Sequence, residues 1–291
     1  MSVVTPTQVL FAQPQWQAKA EVQLCLPAEC GGSWLVTDQT PFHPVSHIWP
    51  DHPADQGEVI IDGRRYAVAG CYTGAVELAS GKLFVGRDIP VKRDTDGWVF
   101  VVVHHTEHAL ELAAGTLIEL DVDKTHQQAL SRGHSGGHLS SLALNKVLHH
   151  DFWRKDASRK DEMGHYDFHS YAQTESRVSE DCSTDTYRLG KTLRKRGLNS
   201  ADLLQRLDEV EARINQQLEA WRMAGAAVVM RCEGKALTDS RYWQCELENG
   251  VLIEIPCGGT HIGSLADYSK IAVEFQLVSD QELVMITRTA A

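Results

Sequence analysis

Short runs in which apolar and polar residues alternate, or in which β-branched residues dominate, recur through the first 125 residues of the chain. They cover residues 21–26, 33–36, 58–61, 66–69, 98–104 and 116–122. Turn signals such as Gly31 with Gly32, and Asp62 with Gly63, separate these runs. Short antiparallel strands without long helices favour a small barrel or sandwich.

Beyond residue 123 the apolar period lengthens to that of an α-helix. Residues 129–148 place Leu130, His134, His138, Leu142 and Leu148 at roughly helical spacing. The following stretch, residues 151–164, is polar and predicts a loop.

A second helix is predicted between Ser200, which can cap its start, and Gly225, which stands just past its end. Six apolar residues form one stripe along it: Leu203, Leu207, Val210, Ile214, Leu218 and Trp221. Strands are predicted at residues 226–231, 242–247, 251–255 and 270–277, with a further one at 282–287. We therefore expect an α+β fold, with a β domain at 1–125 and a second domain at 126–291 in which helices pack on an antiparallel sheet.

The composition indicates a soluble globular protein, since 43% of the residues are hydrophobic and 23% are charged. No apolar run is long enough to span a bilayer. Residues 1–17 lack both the basic start and the apolar block of a signal peptide, so we expect a cytoplasmic protein that does not bind membranes. The chain has seven cysteines, an odd number, and no Cys-x-x-Cys motif. Both observations favour reduced thiols over a framework of disulfides.

The net charge of −11 argues against binding of nucleic acid by the whole surface. Residues 1–125 hold 8 basic and 16 acidic side chains, or −8, and the remainder holds 20 and 23, or −3. A polyanion should therefore meet the C-terminal half. The dense basic stretch there fits tRNA phosphates or, alternatively, a solvated surface; it comprises Arg188, Lys191, Arg194, Lys195 and Arg196.

Pairs of histidines spaced as His-x-x-x-His occur four times among the 14 histidines, at 43/47, 104/108, 134/138 and 165/169. Chance alone would give roughly one such pair. The first pair encloses a proline, the second follows a strand and the last sits in a polar loop. Only His134 and His138 lie on a predicted amphipathic helix, where positions i and i+4 point the same way and can share a metal ion. We do not expect the pairs 104/108 and 165/169 to bind this metal.

A second candidate group of ligands follows the apolar strand at 251–255, in the segment Cys257-Gly-Gly-Thr-His261. A thiolate and an imidazole in a glycine turn at a strand end have the softness and reach that zinc prefers. Each residue taken singly is as readily a buried cysteine or a hydrogen-bonded loop histidine.

The combination of His134-x-x-x-His138 with Cys257-x-Gly-Thr-His261 resembles the editing domain of alanyl-tRNA synthetase and its free-standing relatives. Three shorter segments are also similar to that family: Phe42-His-Pro with Asp55-Gln-Gly57, Asp167-Phe168, and Val210-Glu211-Ala-Arg-Ile-Asn215. The resemblance covers nearly the whole chain. It implies an N-terminal β-barrel followed by an α+β editing domain, the order of the mid-length stand-alone editors.

The chain departs from the family pattern around the metal-binding residues. Residues 45–50, Val-Ser-His-Ile-Trp-Pro, replace the family's Gly-Gly-Gln loop, and residues 264–269, Ser-Leu-Ala-Asp-Tyr-Ser, replace Thr-Gly-Glu-Ile-Gly. The usual His-Thr-Ala-Thr/Leu-His becomes His134-Ser-Gly-Gly-His138. The metal-binding positions are retained while the surroundings of a substrate change.

The resemblance implies a zinc-dependent hydrolase that removes serine or glycine from mischarged tRNA(Ala), with the acceptor end of that tRNA as partner. One zinc per chain is expected on His134, His138 and Cys257, with His261 either a fourth ligand or a nearby base. The residues expected beside the substrate are Ser135, Gly136, Gly137 and Thr260. Close approach of a substrate or a neighbouring strand, or plain tolerance of a weak helix, can each explain the two glycines.

Two other functions are compatible with the same residues. One is a zinc hydrolase acting on a small molecule, which the acidic charge and the altered loops favour. The other is a non-catalytic zinc or tRNA-binding protein, in which four protein ligands close the site. The sequence contains no Gly-x-x-x-x-Gly-Lys-Ser/Thr, and we do not expect amino-acid activation.

Overall fold

The computed structural model describes residues 4–248 and 250–291, which divide into two compact units. The first unit takes the described residues up to Gln128 together with Met230–Arg241 and Cys257–Thr260. The second comprises Ala129–Val229, Tyr242–Pro256 and His261–Ala291. Helices and mostly antiparallel sheets confirm the predicted α+β class. Residues 1–3, part of the segment judged unlike a signal peptide, lie outside the described residues.

The first unit is built from short strands. They are β1 (Gln8–Val9), β2 (Gln17–Pro27), β3 (Ser33–Thr37), β4 (Gln39–Thr40), β5 (Gly57–Ile61), β6 (Arg64–Glu77), β7 (Lys82–Val85), β8 (Trp98–Thr106) and β9 (Leu117–Val122). Strands β1 and β4 pair with each other. The others form an antiparallel sheet in the order β5-β9-β2-β3-β8-β6-β7, and β5 also pairs with β6, which closes the sheet into a ring.

The ring encloses a core of alternate strand residues, including Leu35, Val59, Val102 and Leu120, each at most 1% exposed. The six predicted strand segments fall on β2, β3, β5, β6, β8 and β9. Strand β7 was not predicted. None of its residues is buried, so its sequence does not alternate between buried apolar and exposed polar positions.

Asp55 lies in the loop between β4 and β5 and holds that loop through buried hydrogen bonds. Asp55 is 1% exposed, and its Oδ2 accepts the N–H of His43 at 2.7 Å and the Nε2–H of Gln127 at 2.6 Å. Phe42 beside it is fully buried. A Cβ at Gly57 would lie 2.2 Å from the carbonyl oxygen of Asp121, so only glycine fits there. These family-like residues therefore have structural roles.

Replacing Asp55 by asparagine should flatten the dependence of stability on pH. Burial raises the pKa of Asp55 to about 6, whereas an unfolded aspartate titrates near 3.9. The folded protein thus favours the protonated carboxyl. Its contribution to the free energy of unfolding is fully present below about pH 4 and is lost as pH rises through 6. In the wild type, we expect the free energy of unfolding to fall by about 3 kcal/mol from this carboxyl as pH rises from 4 to 7. Urea unfolding at several pH values in this range measures it.

The exposed Asp96→Asn variant is the matched control and should keep the wild-type pH dependence. Asparagine at 55 retains an oxygen for the two donors, so the variant should still fold. Parallel pH profiles for Asp55→Asn and the wild type would contradict the buried neutral carboxyl.

The second unit contains the helices and the remaining strands. The helices are α1 (Lys124–Asp151, which begins in the first unit), α2 (Phe168–Ala172), α3 (Lys191–Arg196), α4 (Ser200–Gln205) and α5 (Leu207–Ala224). The strands are β10 (Gln173–Ser179), β11 (Cys182–Arg188), β12 (Val228–Cys232, which ends in the first unit), β13 (Arg241–Glu248, whose first residue belongs to the first unit), β14 (Val251–Pro256), β15 (Lys270–Ser279) and β16 (Glu282–Ala290). They form a sheet in the order β10-β11-β16-β15 and another in the order β12-β13-β14. No helix within the described ranges has the length and apolar content needed to cross a membrane.

The predicted helix from Ser200 to Gly225 was wrong at two points: the chain forms two helices, and Asn199, not Ser200, stands at the N-cap, with no side-chain hydrogen bond there. Arg206 leaves helical geometry, with φ −113° and ψ 24°, and its guanidinium pairs with Glu209 at 2.7 Å and lies 4.8 Å over the ring of Phe152. The apolar stripe is otherwise correct, and Gly225 ends α5 in the left-handed conformation at φ 62°.

The segment Val210-Glu211-Ala-Arg-Ile-Asn215, which resembles the family pattern, is explained by the edge of the sheet. Strand β15 is an edge strand, so one side of its backbone has no strand partner. Asn215 on α5 accepts the N–H of Val273 at 2.7 Å and donates to its carbonyl at 3.0 Å, while Glu211 accepts the N–H of Phe275 at 2.7 Å. The helix side chains thus satisfy the free edge and block pairing with another chain.

Candidate metal centre

Helix α1 presents two imidazoles one turn apart on the same face. The rings of His134 and His138 lie 4.9 Å apart between centroids. The ring of His261 stacks 4.3 Å from His134 and 5.2 Å from His138. Helical spacing supplies the first pair, as predicted, and the turn after β14 brings the third imidazole to it.

Cys257 begins that turn, and its backbone N–H donates to the carbonyl of Arg241 at 2.9 Å. Its sulfur and one ring nitrogen each of His134, His138 and His261 all lie within 4.8 Å of one another. Among residues 4–248 and 250–291, these four are the group whose geometry can hold a metal ion. The structure therefore brings together the four side chains that the sequence proposed as ligands.

The donor set fits zinc in number, softness and geometry. One sulfur and three nitrogens are a common zinc set, and tetrahedral bond lengths place such donors about 3.3–3.6 Å apart. The present spacing of up to 4.8 Å is wider than this, so the donors must approach one another by up to about 1.5 Å to bind one ion. Burial lowers the pKa of His138 to about 4, so this ring is neutral and its lone pair is available. Burial raises the pKa of the Cys257 thiol to about 11, so an incoming metal must displace its proton.

The histidines of the other three pairs have different surroundings. His104 is fully buried in the first unit, with Nε2 2.8 Å from the Thr40 hydroxyl and Nδ1 3.2 Å from the carbonyl of Leu35. His169 lies in α2 with its Nδ1 2.9 Å from the hydroxyl of Tyr187. These contacts give both rings hydrogen-bonding roles within the fold.

Ser135 is fully buried, and its hydroxyl contacts the metal group rather than solvent. Its Oγ lies 2.9 Å from Nδ1 of His261 and accepts the backbone N–H of Ile262 at 3.3 Å. Ser135 thus holds a candidate ligand. Thr260, the residue before His261, is 3% exposed.

Gly136 and Gly137 face the sheet of the second unit. A Cβ at Gly136 would lie 2.9 Å from Cγ2 of Thr289, and one at Gly137 would lie 2.8 Å from Oγ of Ser183. Of the explanations offered by the sequence, close approach of a neighbouring strand accounts for both glycines without a substrate contact. A third glycine, Gly133, was not singled out, although its Cβ would lie 2.5 Å from the carbonyl of Ser179.

Replacing Gly133 by alanine should destabilise the protein by about 1–3 kcal/mol, because the methyl group would overlap backbone atoms that cannot rotate away. Alanine normally stabilises a helix interior by about 1 kcal/mol relative to glycine, so the sign of the change is diagnostic. The measurement is the midpoint of chemical unfolding. Gln128→Ala, at an exposed position of the same helix, is the control and should change stability by less than about 0.5 kcal/mol. A more stable Gly133→Ala variant would contradict the close packing of α1 on β10 and β11.

The predicted basic stretch forms an exposed surface on the second unit. Arg188 ends β11, and Lys191, Arg194, Lys195 and Arg196 project from the short helix α3. In that helix Leu193 is buried, and Gly197 ends it at φ 119°. The guanidinium of Arg196 lies 4.4 Å over the ring of Tyr171.

Sequence reasoning missed two cations that extend this surface. Arg154 and Lys155 line, with Arg194 and Lys195, an open groove of about 550 Å³. Within the described ranges, none of these four side chains forms an ion pair with a carboxylate. Arg154 and Lys155 stand about forty residues before α3, in a polar loop without a basic run, and only the fold brings them alongside.

Trp243 is another neighbour of the metal group that the sequence did not indicate. Its ring is fully buried, 5.5 Å from that of His138 and 6.4 Å from that of His261. Its place on β13 was predicted as an ordinary strand position. This apolar ring contributes to the burial of His138, which favours the neutral, metal-binding form of that imidazole.

Comparison with known proteins relates the chain to part of a larger enzyme. No protein-family model matches it. It is 25% identical over 248 residues to an alanine–tRNA ligase of Ruegeria pomeroyi, which covers 82% of this chain and 24% of the ligase. It is also 24% identical over 162 residues to an alanine–tRNA ligase of Metallosphaera sedula. That match covers 56% of this chain and 15% of the ligase. The chain thus spans about a quarter or less of these curated relatives, and the similarity indicates a domain related to alanine–tRNA ligase.

Proposed function

We propose that this chain hydrolyses the ester of mischarged tRNA(Ala), removing serine or glycine, and that it requires zinc to do so. The observation that carries the proposal is the group His134, His138, Cys257 and His261, found in a chain similar to part of alanine–tRNA ligase. A synthetic site for alanine discriminates weakly against a smaller or hydroxylated amino acid, by about 10²-fold, so a separate hydrolytic site is needed.

The four side chains supply what such a site needs from the protein. His134, His138, Cys257 and His261 would hold a zinc ion, and the chemistry it would supply there is polarisation of an ester carbonyl and a lower pKa, of about 7, for a bound water. His134 and His138 lie on the same face of one helix, which keeps their two rings close together. Cys257 contributes the soft donor that favours zinc over magnesium or calcium. The thiolate also reduces the positive charge that the group must bury.

A deacylation assay tests the proposal directly. Zinc-loaded protein is incubated with Ser-tRNA(Ala) and Gly-tRNA(Ala), with Ala-tRNA(Ala) as the control ester, and the surviving ester is measured. The same assay is run on protein whose metal has been removed with a chelator, and on that protein after zinc has been added back. We expect hydrolysis of a mischarged ester that chelation abolishes and zinc restores. Failure of the zinc-loaded protein to accelerate hydrolysis of either mischarged ester would overturn the proposal.

The net charge of −11 favours a second candidate, a zinc hydrolase of small molecules. Binding distinguishes the two, because an editor must bind the tRNA acceptor stem and a small-molecule hydrolase need not. A non-catalytic zinc protein would bind the ion through all four side chains with no exchangeable water. Water exchange, measured by relaxation on a cobalt-substituted sample, separates that case from an enzyme.

If tRNA is the ligand, the surface around α3 should carry much of its affinity. Replacing Lys191, Arg194 and Lys195 together by alanine should weaken tRNA binding and lower the slope of log K against log salt by about three, one for each lost phosphate contact. Binding is measured by fluorescence anisotropy from 50 to 300 mM salt. All three side chains are exposed, so the fold should persist.

A triple variant of the first unit, Lys82, Arg87 and Lys92 to alanine, is matched to this change in charge and exposure. It should leave the slope nearly unchanged. Equal slopes for the α3 variant and the wild type would place the tRNA surface elsewhere on the molecule.

A further inference from the structure

The open groove of about 550 Å³ on the second unit concentrates positive charge around one volume. Its basic lining residues are Arg154, Lys155, Arg194 and Lys195, and all four are exposed. The rest of the lining is the segment 197–201, which contains no charged residue. Four positive charges thus surround a concave space whose lining includes no acidic side chain.

The acidic residues that stand nearest to this groove in the sequence have other partners. Asp151 pairs with Arg213 at 2.7 Å. Asp156 accepts a hydrogen bond from the hydroxyl of Tyr166. Carboxylate partners are common among the other arginines of the second unit, and they are found at Arg132, Arg159, Arg177, Arg206 and Arg222. In the part of the chain that the structure describes, the four cations of the groove have no such partner. An anion from outside the chain would relieve the repulsion among them.

The two sides of the groove are held together by hydrogen bonds and close packing. The backbone N–H of Arg154 donates to the carbonyl of Gly197 at 2.8 Å. Nη2 of Arg154 donates to Oδ1 of Asn199 at 2.7 Å, which orients the guanidinium. Gly197 has a φ of 119°, and a Cβ there would lie 2.8 Å from Cγ of Lys155. A site whose sides are already joined loses less conformational entropy when it binds a ligand.

The donors of the groove match a phosphate group. A guanidinium presents five N–H donors in a planar fork that fits two phosphate oxygens, and Arg154 uses one of them for Asn199. The lysines add compact ammonium charges with three donors each. An internal phosphodiester carries one negative charge, whereas a terminal phosphate carries about −1.5 to −2 at pH 7 and three acceptor oxygens. Four cations around one volume therefore favour a terminal phosphate over an internal one.

We propose that this groove binds the 5′-terminal phosphate of an RNA together with the nucleotide that bears it. A volume of about 550 Å³ exceeds that of a phosphate group and is typical of sites for small organic molecules. In the acceptor stem of a tRNA, the 5′-phosphate stands beside the strand whose 3′ end carries the amino acid. The inference thus rests on the proposed function, and it specifies which chemical group of the tRNA the second unit recognises.

Binding of two RNA hairpins without an amino acid tests the proposal. Both have the sequence of the tRNA(Ala) acceptor stem and a fluorescent label in the loop, but one ends in a 5′-phosphate and the other in a 5′-hydroxyl. We expect the wild-type protein to bind the phosphorylated hairpin about 10–100-fold more tightly at physiological salt, because hydrogen bonds to a charged group contribute more than those to a neutral one. Equal affinity for the two hairpins would overturn the proposal.

A double variant, Arg154→Gln with Lys155→Gln, should largely abolish the preference for the phosphorylated hairpin. Lys270→Gln with Arg288→Gln is the matched control, since it removes the same two types of charge from exposed positions of the second unit outside the groove. The control should retain the preference. Because the preference is a ratio of two affinities of one protein, a general loss of stability does not imitate its loss. A wild-type preference in the groove variant, or equal losses in both variants, would overturn the assignment to this groove.

A nucleoside 5′-monophosphate, used as a competitor, separates an RNA end from a free nucleotide. We expect it to bind much more weakly than the phosphorylated hairpin, since the hairpin also contacts the other cations on α3. Equal affinities would assign the groove to free nucleotides and overturn the RNA assignment. The hairpins carry no ester, so failure of the deacylation assay alone would leave this inference standing. Conversely, an enzyme that hydrolyses mischarged tRNA without preferring a 5′-phosphate would refute only this inference.

Discussion

Replacing Cys257 by alanine should release the metal and lower the rate of Ser-tRNA(Ala) deacylation by about 10³-fold or more. A Cys257 thiolate would be the charged donor of the group, and its loss leaves three imidazoles within the original 4.8 Å spacing. Metal polarisation of the ester is worth several kcal/mol, and about 4 kcal/mol corresponds to a factor of about 10³. Zinc content by elemental analysis and single-turnover deacylation are the measurements.

The exposed Cys232→Ala variant is the control, and it should retain both metal and activity. Thermal unfolding with and without zinc gives a further readout, because an ion that binds only the folded chain raises the melting temperature. That increase should vanish in Cys257→Ala and persist in Cys232→Ala. Undiminished zinc in Cys257→Ala would remove this cysteine from the ligand set.

The native protein should hydrolyse serine esters of tRNA(Ala) much faster than alanine esters, by up to about 10⁴-fold. A site with a polar group placed for the serine hydroxyl leaves that group unpaired when alanine is bound, and such sites discriminate strongly. The buried residues beside the metal group offer Thr260 and Ser135 for this purpose. Ser135 contacts His261 and Ile262, and we expect Thr260 to share in the contact with the substrate.

Single-turnover rates for Ser-, Gly- and Ala-tRNA(Ala) measure this discrimination. Thr260→Val preserves the shape of the side chain and should reduce the preference for serine over alanine, with zinc content unchanged. Glycine has no hydroxyl, so its rate should respond less to the same substitution. Equal turnover of serine and alanine esters by the native protein would exclude a serine-editing role, and the small-molecule hydrolase would become the leading candidate.

The shorter family-like segments have structural explanations that separate them from the chemistry. Glu211 and Asn215 satisfy the edge strand β15, and Asp55 anchors a loop of the first unit. Asp167 accepts the N–H of Ser170 at the start of α2. Substitutions at these positions should therefore affect stability before they affect metal binding, unlike those at the four candidate ligands.

The sequence determined elements whose apolar residues follow a regular period. The strands of the ring and helix α1 were predictable because one face of each is buried and the other is less so. The candidate ligands were also predictable, since His134 and His138 share a helix face by spacing alone, and Cys257 and His261 stand together in one glycine turn.

Only the tertiary structure decided what lies between those elements. Strands β10 and β11 escaped prediction because the buried residues of β11 include the polar Ser183 and Asp185, and Ser183 faces Gly137 of α1 where an apolar layer would be expected. No local pattern reveals that Ser135 contacts His261 from 126 positions away. Hydrogen bonds between distant segments depend on packing, because a hydroxyl finds its partner in space and leaves no period along the chain.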